Sequence, residues 1–250
     1  MTGRWEKVVF FGHHKCGSRF FRLSLLKPLL EANGYEVMGQ GLARTPFHFR
    51  LAHELDLASM AFEQFAKPGP KLLNLANASQ SVVARTLAAA PDLAGIHVVR
   101  DPRQVLVSDY FHHRVGHHVE GPMGWVWDAL KEDRQHLLEL PQEEGLIYEL
   151  EHITEDVLAN QLDAWQPLPN VLEYRMEDFQ GADGYGWPQV DAIVRFLGVE
   201  TRPPLKLNQT FGNAEAASWR DVFTPKLKRL FKDRWGELLI RLGYERDYDW

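Results

Sequence analysis

Apolar runs and turn residues alternate along the first hundred positions. Lys7 to Phe11 contains Val-Val-Phe-Phe, a short run suited to a strand buried on both faces, and it leads into Gly12-His-His-Lys-Cys-Gly-Ser. From Phe20 to Leu30 apolar residues recur at helical spacing and stop near Asn33-Gly34, so the opening predicts strand, tight loop, helix. Tyr35 to Met38 predicts a second strand and Phe47 to Phe65 a helix ending before Lys67-Pro-Gly-Pro. Lys71 to Leu75 predicts a third strand, followed by a helix from Ser81 to Ala89. Gly95 to Val99 is the fourth strand. Asp101-Pro102 then supplies an N-cap and a first-turn proline for a helix towards Arg114. Gly121 to Gln166 reads as mainly helical, Val171 to Tyr174 as a last strand and Trp187 to Leu197 as a helix. The final helix opens at Thr224-Pro225, carries Leu227, Leu230, Phe231, Trp235, Leu238, Leu239 and Leu242 on one face, and stops at Gly243. This alternation predicts an α/β fold over residues 1–250 as a single domain. Its mostly parallel sheet is covered by helices on both faces, and ligands bind at the carboxyl ends of the strands.

Composition narrows the function without naming it. An apolar share of 45% supplies a core, and a charged share of 25% is ordinary for a folded domain. The 28 basic residues against 34 acidic ones leave a net charge of −6, which argues against nucleic acid as partner and makes any phosphate site local. The single cysteine, Cys16, forms no internal disulfide, and no apolar stretch approaches the roughly 20 residues that span a bilayer. With no leader pattern at the start, the expected location is cytoplasmic.

The loop after the first strand carries the first candidate chemistry. Gly12 and Gly17 are spaced so that backbone N–H groups and the following helix N-terminus can face an anion such as phosphate or sulfate. A nucleoside-triphosphate loop reads G-x-x-x-x-G-K-[ST]; here Ser18-Arg19 follow Gly17, and the loop's lysine is Lys15. An ordinary strand-to-helix turn fits the same residues. The second candidate is Val98-Val-Arg-Asp-Pro-Arg-Gln-Val-Leu-Val-Ser108, where Arg100 stands at the end of the fourth strand and Ser108 on the next helix. A guanidinium and a hydroxyl suit one phosphate group, although a guanidinium here also suits Asp101.

Together these segments resemble the sulfotransferases that use 3′-phosphoadenosine 5′-phosphosulfate. Lys15-Cys16-Gly17-Ser18-Arg19-Phe20 is similar to the family's K-x-G-T-T-W loop, and Arg100 with Ser108 matches its arginine followed eight residues later by serine. Trp219-Arg220-Asp-Val-Phe-Thr-Pro and Leu242-Gly-Tyr-Glu are similar to its C-terminal end, so the likeness runs from about residue 7 to 244. It implies a P-loop-like, sulfotransferase-type fold. It implies that Lys15, Cys16, Gly17, Ser18 and Arg19 bind the 5′-phosphosulfate, that Arg100 and Ser108 hold the 3′-phosphate, and that Phe20 stands where the family stacks a tryptophan on adenine. Lys15 is then also catalytic, stabilising charge on the bridging oxygen as it leaves.

The chain departs from the family in two places. The family's histidine after the third strand is replaced by Leu75-Ala-Asn-Ala-Ser79, and the glutamate that carbohydrate-modifying members carry is absent at Pro46-Phe-His-Phe-Arg50. His48 is therefore the candidate catalytic base, with His53, Glu54 and His112 behind it. The family's arginine-lysine-glycine run before the tryptophan is missing too: Phe211-Gly-Asn-Ala-Glu-Ala-Ala-Ser precedes Trp219, which leaves Arg220 as the substitute cation.

His112, His113, His117 and His118 place two imidazoles one helical turn apart, yet no cysteine or carboxylate completes an obvious ligand set, and no metal is expected. From Glu120 to Asp156 the segment is strongly acidic, with Lys131 and Arg134 its only basic residues. It is either a field over the acceptor, favouring a neutral or cationic small molecule, or a solvated helix face. Trp125 and Trp127 are candidates for an acceptor wall or for core. The expected activity is sulfuryl transfer to a hydroxyl or amine of a small molecule, with a P-loop-type kinase and a catalytically inactive nucleotide-binding protein as alternatives.

Overall fold

The computed structural model describes residues 4–38, 63–76, 92–120, 128–164, 170–179, 188–205 and 217–250. In chain order the strands are β1 (Lys7–Gly12), β2 (Glu36–Met38), β3 (Lys71–Ala76), β4 (Leu93–Val99) and β5 (Val171–Arg175). The helices are α1 (Lys27–Glu31), α2 (Pro102–Phe111), α3 (Asp128–Glu139), α4 (Gln142–His152), α5 (Glu155–Ala164), α6 (Pro188–Leu197), α7 (Trp219–Val222) and α8 (Pro225–Arg241). The predicted helices over Phe47–Phe65 and Ser81–Ala89 fall outside the described residues, apart from a last helical turn at 63–66. The chain divides into two compact units: Met1–Val99 with Gln166–Gly212, and Arg100–Trp165 with Asn213–Trp250.

The first unit holds the sheet, whose five strands lie in the order β2-β3-β1-β4-β5 with every pair parallel. Parallel strands are covered on both faces, which explains why β1 and β4 read as continuous apolar runs. Val8, Phe10, Leu72, Ala94, Ile96 and Val98 pack against Phe21, Leu25, Leu26 and Leu29 and against Val190, Ile193 and Leu197 of α6. Each such buried side chain contributes about 1.5–3 kcal/mol. Val9, Phe11, Leu73, Leu75 and Leu93 share the other face with Phe65. Gly95 stands in the interior of β4 because a side chain there would meet Val171 at 2.7 Å and Phe11 at 3.2 Å.

The predicted helix after the loop forms, with one departure. Phe20–Leu26 is wound as a π-helix, the Lys27 N–H reaching back to the Arg22 carbonyl, and it continues directly into α1.

The second unit is helical. Asp101 caps α2 by accepting from the Arg103 N–H at 3.0 Å, and Pro102 occupies the first turn as the sequence predicts. Beyond Phe111 a second π turn, His112–Gly116, ends with the His117 N–H on the His112 carbonyl at 2.7 Å. The Thr224 hydroxyl accepts from the Leu227 N–H at the head of α8, which buries Leu227, Phe231, Trp235, Leu238 and Leu239. No helix among the described residues is long and apolar enough to cross a membrane.

Candidate functional site

The loop between β1 and the first helical segment leaves the middle strand of the sheet at its carboxyl edge, where α/β folds bind ligands. Within it Lys15 has φ 57 and Gly17 φ 70. A left-handed lysine costs about 1–2 kcal/mol, whereas glycine takes that conformation freely. Turns that alternate in this way present backbone N–H groups to an anion, with the Cys16 N–H excepted because the His13 carbonyl takes it. A helix begins at Ser18, so the loop ends on first-turn N–H groups that have no acceptor within the helix.

The loop is held from beneath. The Cys16 N–H donates to the His13 carbonyl at 3.2 Å, and the Cys16 side chain is fully buried. A Cβ on Gly17 would lie 3.3 Å from the Met176 sulfur, so the turn after β5 sets the room available. Lys15, Gly17 and Ser18 are half-buried and Arg19 is exposed. Phe20, the expected adenine platform, is 3% exposed within the core, its ring edge-on to Phe21 at 5.1 Å and to Phe179 at 6.5 Å.

Arg100 follows β4 directly and Ser108 is buried on α2. The carboxylate of Asp101 is taken up by Arg103, whose Nε and Nη2 donate to its two oxygens at 2.9 Å each. Arg103 also pairs with Glu245 and lies over the rings of Trp219 at 4.0 Å and Trp250 at 4.5 Å. The Trp219 block that resembles the family's C-terminal end is thus built around a buried arginine two residues after Asp101, which sequence reading did not single out. The D-x-R spacing at a helix start was its only signal. Arg220 is exposed on α7, its guanidinium 4.5 Å from the Trp219 ring centroid.

A second feature missed in the sequence lies under the loop. His13, the residue after β1, is 1% exposed, and its Nε2 is 2.9 Å from Nε2 of His97 on β4. His97 Nδ1 is 3.3 Å from Oε1 of Glu173 on β5, its register partner. Burial and the neighbouring His97 hold His13 well below the usual histidine range, and burial brings His97 down to about 3. Burial pushes the Glu173 carboxyl up to about 7. Both imidazoles are therefore neutral at physiological pH, and the carboxyl is the group that titrates there.

The histidines after α2 form a real cluster, with ring centroids 4.8 Å apart for His112 and His117 and 5.5 Å for His113 and His117. His113 is committed to Glu149, its Nδ1 2.8 Å from Oε1. Glu149 is fully buried and takes the Thr154 hydroxyl at 2.8 Å as well. The acidic segment is therefore only partly a solvated face. His48, His53, Glu54, Trp125 and Trp127 lie outside the described residues, as do residues 206–216.

No protein-family model matches the sequence, and no curated protein matches it at the sequence level. Solved structures do match. A mouse sulfotransferase crystallised with PAP is 15% identical, with a TM-score of 0.53 over 96% of this chain and 85% of that one. A sulfotransferase from Alicyclobacillus acidocaldarius is 13% identical over 97% and 96%, with a TM-score of 0.45. A gluconokinase from Sinorhizobium meliloti is 14% identical over 78% and 91%, with a TM-score of 0.41. At this identity the likeness to the mouse sulfotransferase shows the fold alone: a parallel sheet flanked by helices with a strand-loop-helix turn at its centre.

Proposed function

We propose that this chain is a sulfotransferase that moves the sulfuryl group of 3′-phosphoadenosine 5′-phosphosulfate to a hydroxyl or amine of a neutral or cationic small molecule. The observation that carries the reading is the conformation of Lys15: a strained, left-handed cation inside an anion-shaped loop at the carboxyl edge of the central strand. In this reading the loop amides from Gly17 to Arg19 and the Ser18 hydroxyl hold the 5′-phosphosulfate, while the Cys16 N–H, expected among them, is taken by the His13 carbonyl. Arg100 and Ser108, which follow the neighbouring strand β4, hold the 3′-phosphate, and Arg220 adds the cation that the C-terminal loop lacks.

The acceptor oxygen or nitrogen attacks sulfur while the bond from sulfur to the bridging oxygen breaks, and the electron pair stays on the departing nucleotide. Lys15 neutralises that growing charge, an interaction stronger in the transition state than in the bound donor. The fold likeness to a sulfotransferase crystallised with PAP supports the same donor, and a loop with no lysine after Gly17 disfavours ATP. Mass spectrometry of donor incubated with phenols, alcohols and amines tests the transfer. Lys15→Ala should lower turnover on the order of 10²–10³-fold, as removing one transition-state donor does. A variant as fast as the parent protein would refute the role of Lys15.

A further inference from the structure

The proposed transfer needs a group to take the acceptor's proton, and the sequence Leu75-Ala-Asn-Ala-Ser79, in which β3 ends, carries no histidine. The neighbouring strand does carry one. β1 lies beside β3 with Gly12 against Ala76, and His13 is the next residue, two before Lys15. We propose that His13 takes the acceptor's proton at Nδ1 and passes its own Nε2 proton through His97 to Glu173, so that the three residues work as one base. This rests on the sulfotransferase reading above.

Three observations support it. The contacts are continuous, at 2.9 Å from His13 to His97 and 3.3 Å from His97 to Glu173, across adjacent strands of a parallel sheet. Their direction is fixed by the carboxylate. With Glu173 ionised, the His97 Nδ1–H donates to it, which leaves His97 Nε2 to accept from the His13 Nε2–H. His13 Nδ1 is then a bare lone pair, and that buried nitrogen has no hydrogen-bond partner among the described residues.

The third observation is where a proton can rest. Burial disfavours an imidazolium at either histidine, whereas the Glu173 carboxyl, at about 7, holds a proton at the pH where a base works best. His97 faces Glu173 from β4, and Arg175 follows it two residues on along β5. The Asp178 carboxylate in the next turn accepts from the Arg175 N–H, and burial alone sets the Glu173 shift. Glu173 keeps 18% of its side chain in solvent while His97 keeps none, so the carboxyl is the end that carries charge.

The step balances. The acceptor O–H proton goes to His13 Nδ1, the His13 Nε2 proton to His97 Nε2 and the His97 Nδ1 proton to the Glu173 carboxylate. Meanwhile the new oxygen–sulfur bond replaces the one to the nucleotide. Both rings are neutral before and after, each with its proton on the other nitrogen. Once product has left, the reverse passage returns a proton from Nδ1 to solvent.

Nitrogen-15 shifts of the imidazoles read the tautomers without any substrate. Above about pH 7, His13 should carry its proton on Nε2 and His97 on Nδ1. A proton on His13 Nδ1, or an imidazolium at either ring, overturns the relay. With phenol or 2-aminoethanol as acceptor, turnover should rise with pH through an inflection near 7. Glu173→Gln should lose that inflection and on the order of 10²–10⁴-fold in kcat, with affinity for 3′,5′-phosphoadenosine unchanged. If Glu173→Gln folds poorly, His97→Gln breaks the chain at its middle and must show the same loss. An unaltered pH profile with nucleotide affinity intact overturns the relay and leaves the sulfotransferase reading standing. Parent protein that binds no 3′,5′-phosphoadenosine removes that reading, and the relay's role with it.

Discussion

Among the described residues each unit holds a histidine–carboxylate pair, and the two differ in what they connect to. In the helical unit His113 Nδ1 meets Glu149 at 2.8 Å, and Glu149, with no exposed surface, also takes the Thr154 hydroxyl. That carboxylate stands on α4 and meets His113 of the π turn after α2 and Thr154 just beyond α4, so it ties elements together. In the sheet unit the His97–Glu173 contact is longer, at 3.3 Å, the carboxyl reaches solvent, and the second ring nitrogen leads on to His13 and the candidate anion loop. A buried imidazole and carboxylate thus make a brace where the carboxylate is enclosed and also holds a neighbouring hydroxyl. They make a proton path where one end reaches water and the other reaches a site.

The largest effect that separates the two pairs is on stability. Glu149→Ala removes the carboxylate contact of the His113 Nδ1 and leaves the Thr154 hydroxyl its longer contact to Asp109 at 3.5 Å, a loss of about 1–3 kcal/mol. Thermal unfolding should move down by several degrees, with the pH profile of sulfuryl transfer keeping its shape. Glu173→Gln should do the reverse. It removes a carboxylate whose charge burial disfavours, so above about pH 7 its melting temperature should hold or rise. Equal destabilisation by the two variants would erase the distinction.

A smaller effect lies in the pH dependence of folding. The unfolded chain protonates His13 and His97 near 6.5, whereas the folded chain keeps both neutral to much lower pH. Below that value the unfolded state binds more protons, so these residues contribute stability at neutral pH that is lost as acid is added. Glu173 acts in the opposite sense between its ordinary 4.5 and about 7, where the folded state binds the extra proton. Glu173→Gln should therefore steepen the loss of stability on acidification, and a His13→Gln, His97→Gln double variant should flatten it. Urea unfolding measured across that range reads both slopes, and a double variant as acid-sensitive as the parent would contradict the burial of neutral imidazoles.

Much of the fold was legible in the sequence because its cues are local. Val8 to Phe11 is buried on both faces and reads as one apolar run, and Asp101-Pro102 marks the start of α2 by capping chemistry alone. The π winding of Phe20–Leu26 was not legible, since apolar spacing fits that turn and an ordinary helix alike. His97 and Glu173 were passed over for another reason. His97 is one polar residue in an apolar strand and Glu173 one of two charged residues in a half-buried one, and only the register that pairs them, with His13 one residue beyond β1, turns separate polar positions into a chain. Glu149 read as one residue of an acidic stretch that was either a field over the acceptor or a solvated face, yet it is fully buried. Lys15, Gly17, Arg100 and Ser108 were singled out by motif, and the left-handed backbone at Lys15 is what structure added to them.

The most direct measurement of the donor assignment is calorimetry of 3′,5′-phosphoadenosine against adenosine 5′-phosphate, on the parent protein and on Arg100→Ala. The 3′-phosphate should tighten binding by a charge-assisted contact of about 1.5–3 kcal/mol, and Arg100→Ala should abolish most of that gain. Equal affinity for the two nucleotides, or a gain that survives Arg100→Ala, would contradict it.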